Sequence, residues 1–174
     1  MIHVVATGTF DILHPGHLYY LEESRNLGDE LSVIVARDAN VKHKPRPILP
    51  EDQRLRMIRA LKPVDHALLG DLHDMFRPIS EIRPDIITLG FNQHFNEEHL
   101  RQKLRERGLD ADVVRIPGYP GSLASSSKII ERILNTRPPR IPPALPVRSD
   151  SDPEKCGEYP QVTAVHAADR DVGR

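Results

Sequence analysis

Apolar and polar stretches alternate regularly along the chain up to about residue 134. Short apolar runs rich in β-branched residues predict five strands, at residues 2–7, 31–36, 64–69, 85–89 and 111–116. Between and after them, amphipathic stretches predict helices at residues 15–25, 51–61, 75–82, 97–107 and 128–134. Alternation of this kind is typical of a parallel sheet covered on both faces. The pattern therefore predicts an α/β fold, a Rossmann-like doubly wound five-stranded parallel sheet in a single domain.

The composition changes near residue 135. Large apolar residues become rare and no clear period remains, while seven prolines follow: Pro138, Pro139, Pro142, Pro143, Pro146, Pro153 and Pro160. Such a segment cannot bury enough surface to offset the entropy of ordering it. We therefore predict a domain at residues 1–134 and a proline-rich, disordered tail at residues 135–174. A partner-binding arm is the alternative interpretation of the tail.

Charge and cysteine content exclude several classes of protein. The formal net charge of −1 gives no reason to expect a nucleic-acid binder held by bulk charge. A single cysteine, Cys156, allows neither a disulfide framework nor a cysteine zinc site within one chain. No signal-like segment opens the sequence, and no apolar run approaches the length that spans a membrane. We expect a cytoplasmic protein that binds neither nucleic acid nor membrane.

The loop after the first strand carries the strongest chemical signal. It runs from Gly8 to His17 and leads directly into the first predicted helix. N–H groups at a helix start are unpaired and the local dipole is positive, so phosphates bind there. Pro15 suits the first helical position, and His14 and His17 lie one turn apart on the same side. The sequence predicts a phosphate site in which these two histidines donate hydrogen bonds.

Further polar residues follow the other strands. The carboxyl ends of parallel strands meet at one edge of the sheet, where doubly wound folds bind their ligands. The residues predicted to meet there are Lys42 and Lys44 after strand two, Asn92 after strand four, and Tyr119, Ser125, Ser126 and Ser127 after strand five. The serines also form a helix N-cap, so phosphate binding would be an additional role for them.

The first loop lacks the spacing of a dinucleotide fingerprint and of a Walker loop. It resembles instead the His-x-Gly-His signature of the nucleotidylyltransferase superfamily, and the longer match Gly-Thr-Phe-Asp-x-x-His-x-Gly-His is similar to its cytidylyltransferase-like branch. The resemblance implies transfer of a nucleotidyl group to a phosphate-bearing acceptor with release of pyrophosphate. It also implies that Gly16 gives the nucleotide room to approach the backbone.

Stretches at residues 33–38, 47–54, 61–65 and 83–90 resemble the archaeal FAD synthases. This resemblance implies transfer of AMP from ATP to FMN, a divalent metal such as Mg²⁺ with no metal ligands assigned in the protein, and a homodimer. It implies that the catalytic groups are His14, His17, Lys44 and Lys42. The residues that it implies for ATP binding are Thr9, Phe10, His14, Pro15, Gly16, His17, Asn92, Tyr119, Ser125, Ser126 and Ser127.

Two departures from related sequences leave alternatives open. Asn92 stands where relatives carry an aspartate, and residues 117–124 lack the arginine-rich run of relatives that act on glycerol phosphate. The second departure argues against that acceptor. A cytidylyl- or adenylyltransferase acting on a polyol or sugar phosphate, such as glycerol 3-phosphate, is the alternative enzyme. A nucleotide-binding module without catalysis is the alternative of another class.

Three single residues receive predictions of their own. Gly28 and Gly108 are predicted to end the first and fourth helices. Arg54 has two interpretations, a surface salt bridge or a contact with phosphate or a second subunit.

Overall fold

The computed structural model describes residues 1–41 and 46–137. Its five strands are β1 (His3–Gly8), β2 (Glu30–Val35), β3 (His66–Leu69), β4 (Ile86–Leu89) and β5 (Asp112–Arg115). Its helices are α1 (Pro15–Arg25), α2 (Glu51–Arg59), α3 (Arg77–Ile82), α4 (Glu97–Arg105) and α5 (Ser126–Thr136), with a short 3₁₀ turn at Asp38–Asn40. Every predicted strand and helix is present, with ends that differ by a few residues.

The strands form one parallel sheet in the order β3-β2-β1-β4-β5. Along the chain, β2 and then β3 are added on one side of β1, and β4 and β5 are then added on its other side. The strand order thus reverses between β1 and β4, and ligands bind at such a reversal. The predicted parallel, doubly wound sheet is confirmed, and the loops after β1 and β4 lie where a ligand is expected.

Alternate residues of the strands pack on opposite faces of the sheet, because successive side chains of a strand point to opposite sides. One core cluster contains Val4 and Ala6 of β1 together with Leu21 of α1 and Ile58 of α2. The second cluster contains residues of β1, β2, β4 and β5 with residues of α3 and α4: Val5, Ile34, Ile87, Leu89, Val113, Ile79, Leu100 and Leu104. Helices therefore cover both faces, as the sequence predicts.

The two glycines predicted to end helices behave differently. Gly108 has the left-handed φ of 69°, and the N–H of Leu109 bonds back to the carbonyl of Leu104, so the predicted stop after α4 is confirmed. The prediction for Gly28 is wrong, because α1 already ends at Asn26 in a right-handed conformation. A Cβ on Gly28 would lie 2.6 Å from the carbonyl oxygen of Ile2. Close packing against β1 explains this glycine, not helix capping.

The helix α5 extends past the predicted domain boundary at residue 134. None of its residues is buried. Residues 138–174 lie outside the described part of the chain, so the tail stays a prediction. Within the described residues, no helix combines the length and the apolar character needed to cross a bilayer.

Candidate active site

The two histidines of the first loop form a stacked pair at the N-terminus of α1. His14 is the N-cap residue, and the backbone N–H of His17 donates to its Nδ1 at 3.3 Å. The two ring centroids are 3.7 Å apart and the rings are inclined by 21°. The predicted placement of both imidazoles on one side of the helix start is confirmed.

His14 is held in its neutral form. Partial burial disfavours the charged imidazolium and lowers the pKa of His14 below its ordinary value. Because Nδ1 accepts a hydrogen bond from the backbone, the proton of neutral His14 lies on Nε2. One ring nitrogen thus caps the helix, and the other carries the N–H that can donate to an anion.

The turn between β1 and α1 is strained at Phe10. This residue has φ of 52°, a value that a bulky residue rarely adopts. Its ring is 3% exposed and meets the His17 ring edge-on at 5.3 Å. A Cβ on Gly8 would lie 2.7 Å from Phe10 Cζ, so only glycine fits beneath the ring. The Phe10 side chain is committed to the core, and any nucleotide contact by this residue would come from its backbone.

Gly16 serves a packing role that the sequence does not reveal. A Cβ there would lie 2.9 Å from the carbonyl oxygen of Ala124 and 3.0 Å from His14 Nδ1. The space that a Cβ on Gly16 would occupy is therefore filled by the protein itself, which alone accounts for the glycine, and approach of a nucleotide to its backbone stays a prediction. The neighbouring Pro15 is the first residue of α1, as predicted.

The N-terminus of α5 lies beside that of α1. Ser125 is its N-cap, since the Lys128 N–H donates to Ser125 Oγ at 3.2 Å, and this confirms the predicted cap. Ser126 Oγ donates to the carbonyl of Ile12 at 3.2 Å, whereas Ser127 is exposed. Two positive helix ends thus converge around the histidine pair, an arrangement suited to a polyphosphate.

On the β4 side, Asn92 lies exposed in the turn that follows the strand. The neighbouring Gln93 joins this turn to β1: its Nε2 donates to the Thr7 carbonyl at 2.7 Å, and its Oε1 accepts from the Gly90 N–H at 3.2 Å. Sequence reasoning missed Gln93, because nothing in the pattern distinguishes it from an ordinary loop residue.

Tyr119 lies on the loop between β5 and α5 and is 39% exposed. Its ring centroid is 5.7 Å from that of Tyr19, and a Cβ on Gly121 would lie 2.2 Å from Tyr119 Cε1. The ring therefore braces the turn while part of it stays accessible. Binding of ATP by this residue remains a prediction.

Arg54 fits neither interpretation suggested by the sequence. Its side chain is completely buried, not on the surface, and its guanidinium is used within the chain. Nε donates to the Leu49 carbonyl at 3.0 Å, and Nη1 to the Thr9 carbonyl. Nη2 donates to the Ala36 carbonyl at 2.8 Å and to Asp38 Oδ1 at 2.5 Å. Arg54 therefore ties the ends of β1 and β2 to the start of α2.

Asp11 holds the same region from the first loop. Its Oδ1 accepts from the backbone N–H groups of Ile48 and Leu49, both at 2.9 Å. The residues that lead into α2 are thereby attached to the histidine motif. Lys42 and Lys44, the predicted phosphate-binding lysines, lie outside the described residues, and their role stays a prediction.

The buried tyrosine Tyr20 links the two strands that lie next to the site. The Tyr20 hydroxyl donates to the Thr88 carbonyl of β4 at 2.9 Å and accepts from the Thr7 N–H of β1 at 3.2 Å. Burial raises the pKa of Tyr20 to about 12, so it stays protonated. Sequence reasoning missed this residue, although a tyrosine one turn after His17 on the inner face of α1 was a usable signal.

The donors around the histidine pair are imidazoles, serine hydroxyls and backbone N–H groups. Among residues 1–41 and 46–137 there is no group of three His, Cys, Asp or Glu side chains that could hold a metal ion. This donor set fits a divalent cation that arrives bound to phosphate oxygens better than one bound by the protein.

Comparison with known proteins agrees with this geometry. A family profile described as cytidylyltransferase-like matches residues 5–132. A FAD synthase of Methanoculleus marisnigri is 95% identical over 142 residues, which cover 82% of this chain and 95% of the relative. A FAD synthase of Methanosphaerula palustris is 63% identical over 155 residues, which cover 88% and 99% of the two chains.

A solved structure gives the same result for the fold. The lipopolysaccharide core biosynthesis protein from Thermoplasma volcanium is 50% identical and superposes with a TM-score of 0.67, covering 68% of this chain and 98% of that one. The family match and the FAD synthase relatives together show that the chain belongs to the cytidylyltransferase-like family, in the branch of the archaeal FAD synthases.

Proposed function

We propose that this protein transfers AMP from ATP to FMN, giving FAD and pyrophosphate. The observation that carries the proposal is the stacked His14–His17 pair at a helix N-terminus, in a chain that is 95% identical to a protein named FAD synthase. The site supports nucleotidyl transfer, and the relatives support the flavin acceptor.

The reaction is an in-line displacement at the α-phosphorus of ATP. An oxygen of the FMN phosphate forms a new bond to that phosphorus, the bond to the β-phosphate bridging oxygen breaks, and pyrophosphate leaves with the electron pair. No covalent enzyme intermediate is needed, so catalysis rests on positioning and on stabilisation of the charge that develops.

The described residues divide these tasks. The Nε2–H of neutral His14, together with His17, donates hydrogen bonds to the oxygens of the reacting phosphate. The N-termini of α1 and α5, with the hydroxyls of Ser125 and Ser127 and the backbone N–H of Ser126, hold the rest of the triphosphate. Lys42 and Lys44, which lie between β2 and α2 in the sequence, would add positive charge.

The nucleoside would bind at the loops that follow β4 and β5. Asn92 offers an amide to the ribose or base, and Tyr119 offers an accessible ring face. Thr9 and Phe10 would contribute through the turn that leads to His14. Mg²⁺ bound to the triphosphate would neutralise part of its charge.

We extend the proposal to a homodimer in the cytoplasm, where both nucleotide substrates are found. Sedimentation velocity tests the assembly, with an expected mass of twice the 19.7 kDa of the chain. A species at the monomer mass over the micromolar range would refute the dimer without affecting the proposed reaction.

An acceptor panel tests the activity. The full chain is incubated with ATP or CTP, with Mg²⁺, and with FMN, riboflavin, glycerol 3-phosphate or a sugar phosphate. Pyrophosphate is measured enzymatically and FAD by chromatography. We expect pyrophosphate and FAD in equal amounts with ATP and FMN, and none with riboflavin, which lacks the attacking phosphate. Turnover only with CTP as donor, or only with glycerol 3-phosphate or a sugar phosphate as acceptor, would refute FAD synthesis in favour of another nucleotidyl transfer. No turnover with any pair would favour a nucleotide-binding module without catalysis.

A further inference from the structure

The turn that carries Asn92 is held by Arg115, the last residue of β5. Arg115 Nη1 donates to the carbonyls of Gly90 at 3.0 Å and of Gln93 at 3.1 Å. Nη2 donates to the carbonyl of Phe95 at 2.6 Å, and Nε to Glu97 Oε1 at 2.8 Å. One guanidinium thus contacts four points along the connection from β4 to α4.

These contacts fix the backbone on both sides of Asn92. Gly90 and Gln93 are also bonded to each other, since the Gln93 N–H donates to the Gly90 carbonyl at 3.1 Å. Gln93 Nε2 attaches the turn to Thr7, next to the strained loop that leads to the histidines. Asn96 Oδ1 accepts from the His99 N–H at 2.9 Å and caps α4. The framework of the turn is set by the protein, while the Asn92 side chain is exposed.

Only an arginine can make this set of contacts. A guanidinium is planar and carries five N–H donors in fixed directions, so it can reach three carbonyls and a carboxylate at once. A lysine at this position has one compact ammonium group and could reach only part of the set. The side chain is 28% exposed, so the cluster lies near the surface and outside both core clusters.

We propose that Arg115 is a positioning residue for the binding of ATP. It holds the turn that carries Asn92, and Asn92 in turn contacts the nucleoside. This inference rests on the proposed function, which identifies the bound nucleotide as ATP. None of the four hydrogen bonds of Arg115 goes to the histidine pair or to the helix ends proposed to bind the phosphates. Its loss is therefore expected to weaken ATP binding while kcat and the KM for FMN change little.

Arg101 supplies a matched control on the neighbouring helix. Its Nη2 donates to the Val113 carbonyl at 2.6 Å, and its guanidinium pairs with Glu97 at 3.9 Å and Glu98 at 3.5 Å. Its side chain is 30% exposed, close to the value for Arg115. Arg101 thus ties α4 to β5 by the same kind of contact, but it does not touch the turn at residues 90–95.

The experiment compares Arg115→Met, Arg115→Lys and Arg101→Met in the full chain. Calorimetric titration with a non-hydrolysable ATP analogue gives the nucleotide affinity without any acceptor, and steady-state assays give kcat and both KM values. Loss of a well-placed hydrogen bond between Asn92 and the nucleoside costs up to about tenfold in affinity. We expect about tenfold weaker binding for Arg115→Met, a smaller loss for Arg115→Lys, and no more than about a twofold change for Arg101→Met.

Equal losses for Arg115→Met and Arg101→Met, or an equal rise in both KM values, would overturn the inference. If Arg115→Met does not fold, a double-mutant cycle of Arg115→Lys with Asn92→Ala decides the question, because residues that act as a unit are not additive. With Asn92 absent, Arg115→Lys should cost no further affinity, and full additivity would contradict the proposal. Absence of FAD formation by the unmodified chain would instead refute the proposed function, since analogue binding does not depend on the acceptor.

Discussion

Two arginines hold the loops on either side of the histidine pair, and they differ in burial. Arg54 is completely buried and joins β1, β2 and the start of α2, whereas the side chain of Arg115 is 28% exposed and holds a single turn. Arg54 makes its contacts mainly with the backbone carbonyls of Leu49, Thr9 and Ala36, and its own side chain is shielded from water. Arg115 bonds to a turn that water can also reach.

This difference separates a part of the site that is built into the core from exposed loops that are proposed to contact the nucleoside. The β1–β2 side is built into the core cluster that contains Phe10 and Tyr20, so a change there affects the whole domain. The β4–β5 side presents Asn92 and Tyr119 from exposed loops. Loops on a rigid sheet can change their ligand contacts without loss of the fold. Four predictions test this division, ordered by the expected size of the effect.

The largest effect is expected for Arg54→Met. The change leaves the partly buried carbonyls of Leu49, Thr9 and Ala36 without their donor, and loss of a fully buried guanidinium that serves three carbonyls and a carboxylate is expected to cost about 3 kcal/mol. Urea denaturation measures the free energy of unfolding. Arg59→Met on the same helix removes one exposed contact with the Ala67 carbonyl and serves as the control. Equal stability of the two variants would contradict the structural role of Arg54.

The next effect concerns chemistry and not stability. His17→Ala removes a donor to the developing charge and is expected to lower kcat by about two orders of magnitude while the fold survives. The value of kcat is normalised to the fraction of folded protein, which is measured by circular dichroism. Leu18→Ala, at the next and exposed position of α1, is the control. An unfolded His17→Ala variant with unchanged turnover of its folded fraction would make His17 a structural residue.

A smaller loss of stability is expected at Tyr20, whose hydroxyl links β1 to β4. Tyr20→Phe removes the hydroxyl that bonds β1 and β4 and leaves the buried N–H of Thr7 without that acceptor, at a cost of about 1–3 kcal/mol. The urea midpoint measures this loss. Tyr19→Phe is the matched control, because the Tyr19 ring lies next to Tyr119 at the half-exposed surface. A Tyr20→Phe variant as stable as Tyr19→Phe would show that this hydroxyl does not link the strands energetically.

The smallest effect concerns pH. The pKa of His14 is lowered in the folded protein, so as pH falls below the ordinary value of 6.5 the unfolded chain takes up the proton first. Stability should therefore be fully present above that pH and decline as pH falls through the folded pKa. His14→Asn keeps an N-cap acceptor without a titrating proton, and its urea midpoint should decline less between pH 7.5 and 5.5. Equal declines of the urea midpoint in the unmodified chain and in His14→Asn would show that His14 is not the source of the pH dependence. NMR titration of the His14 ring checks the direction of its pKa shift.

Much of the fold could be predicted because its signals are local. The five apolar runs became the five strands, and Ser125 capped α5 as its sequence context indicates. Gly28 and Gly108 show the limit of such reasoning. Both follow a helix, yet only Gly108 adopts the left-handed conformation, while Gly28 is required by a contact with β1. A glycine looks the same in either setting until the neighbouring strand is in place.

The sequence by itself determined the order of strands and helices, the position of the histidine motif at a helix start, and the family. Each depends on residues close together in the chain or on a continuous motif. Only the tertiary structure decided that Arg54 is buried, that Gly16 packs against Ala124, and that Arg115 holds the turn of Asn92. These roles depend on contacts between residues that are distant in sequence. A charged side chain reveals its partners only after the sheet has brought them within hydrogen-bonding distance.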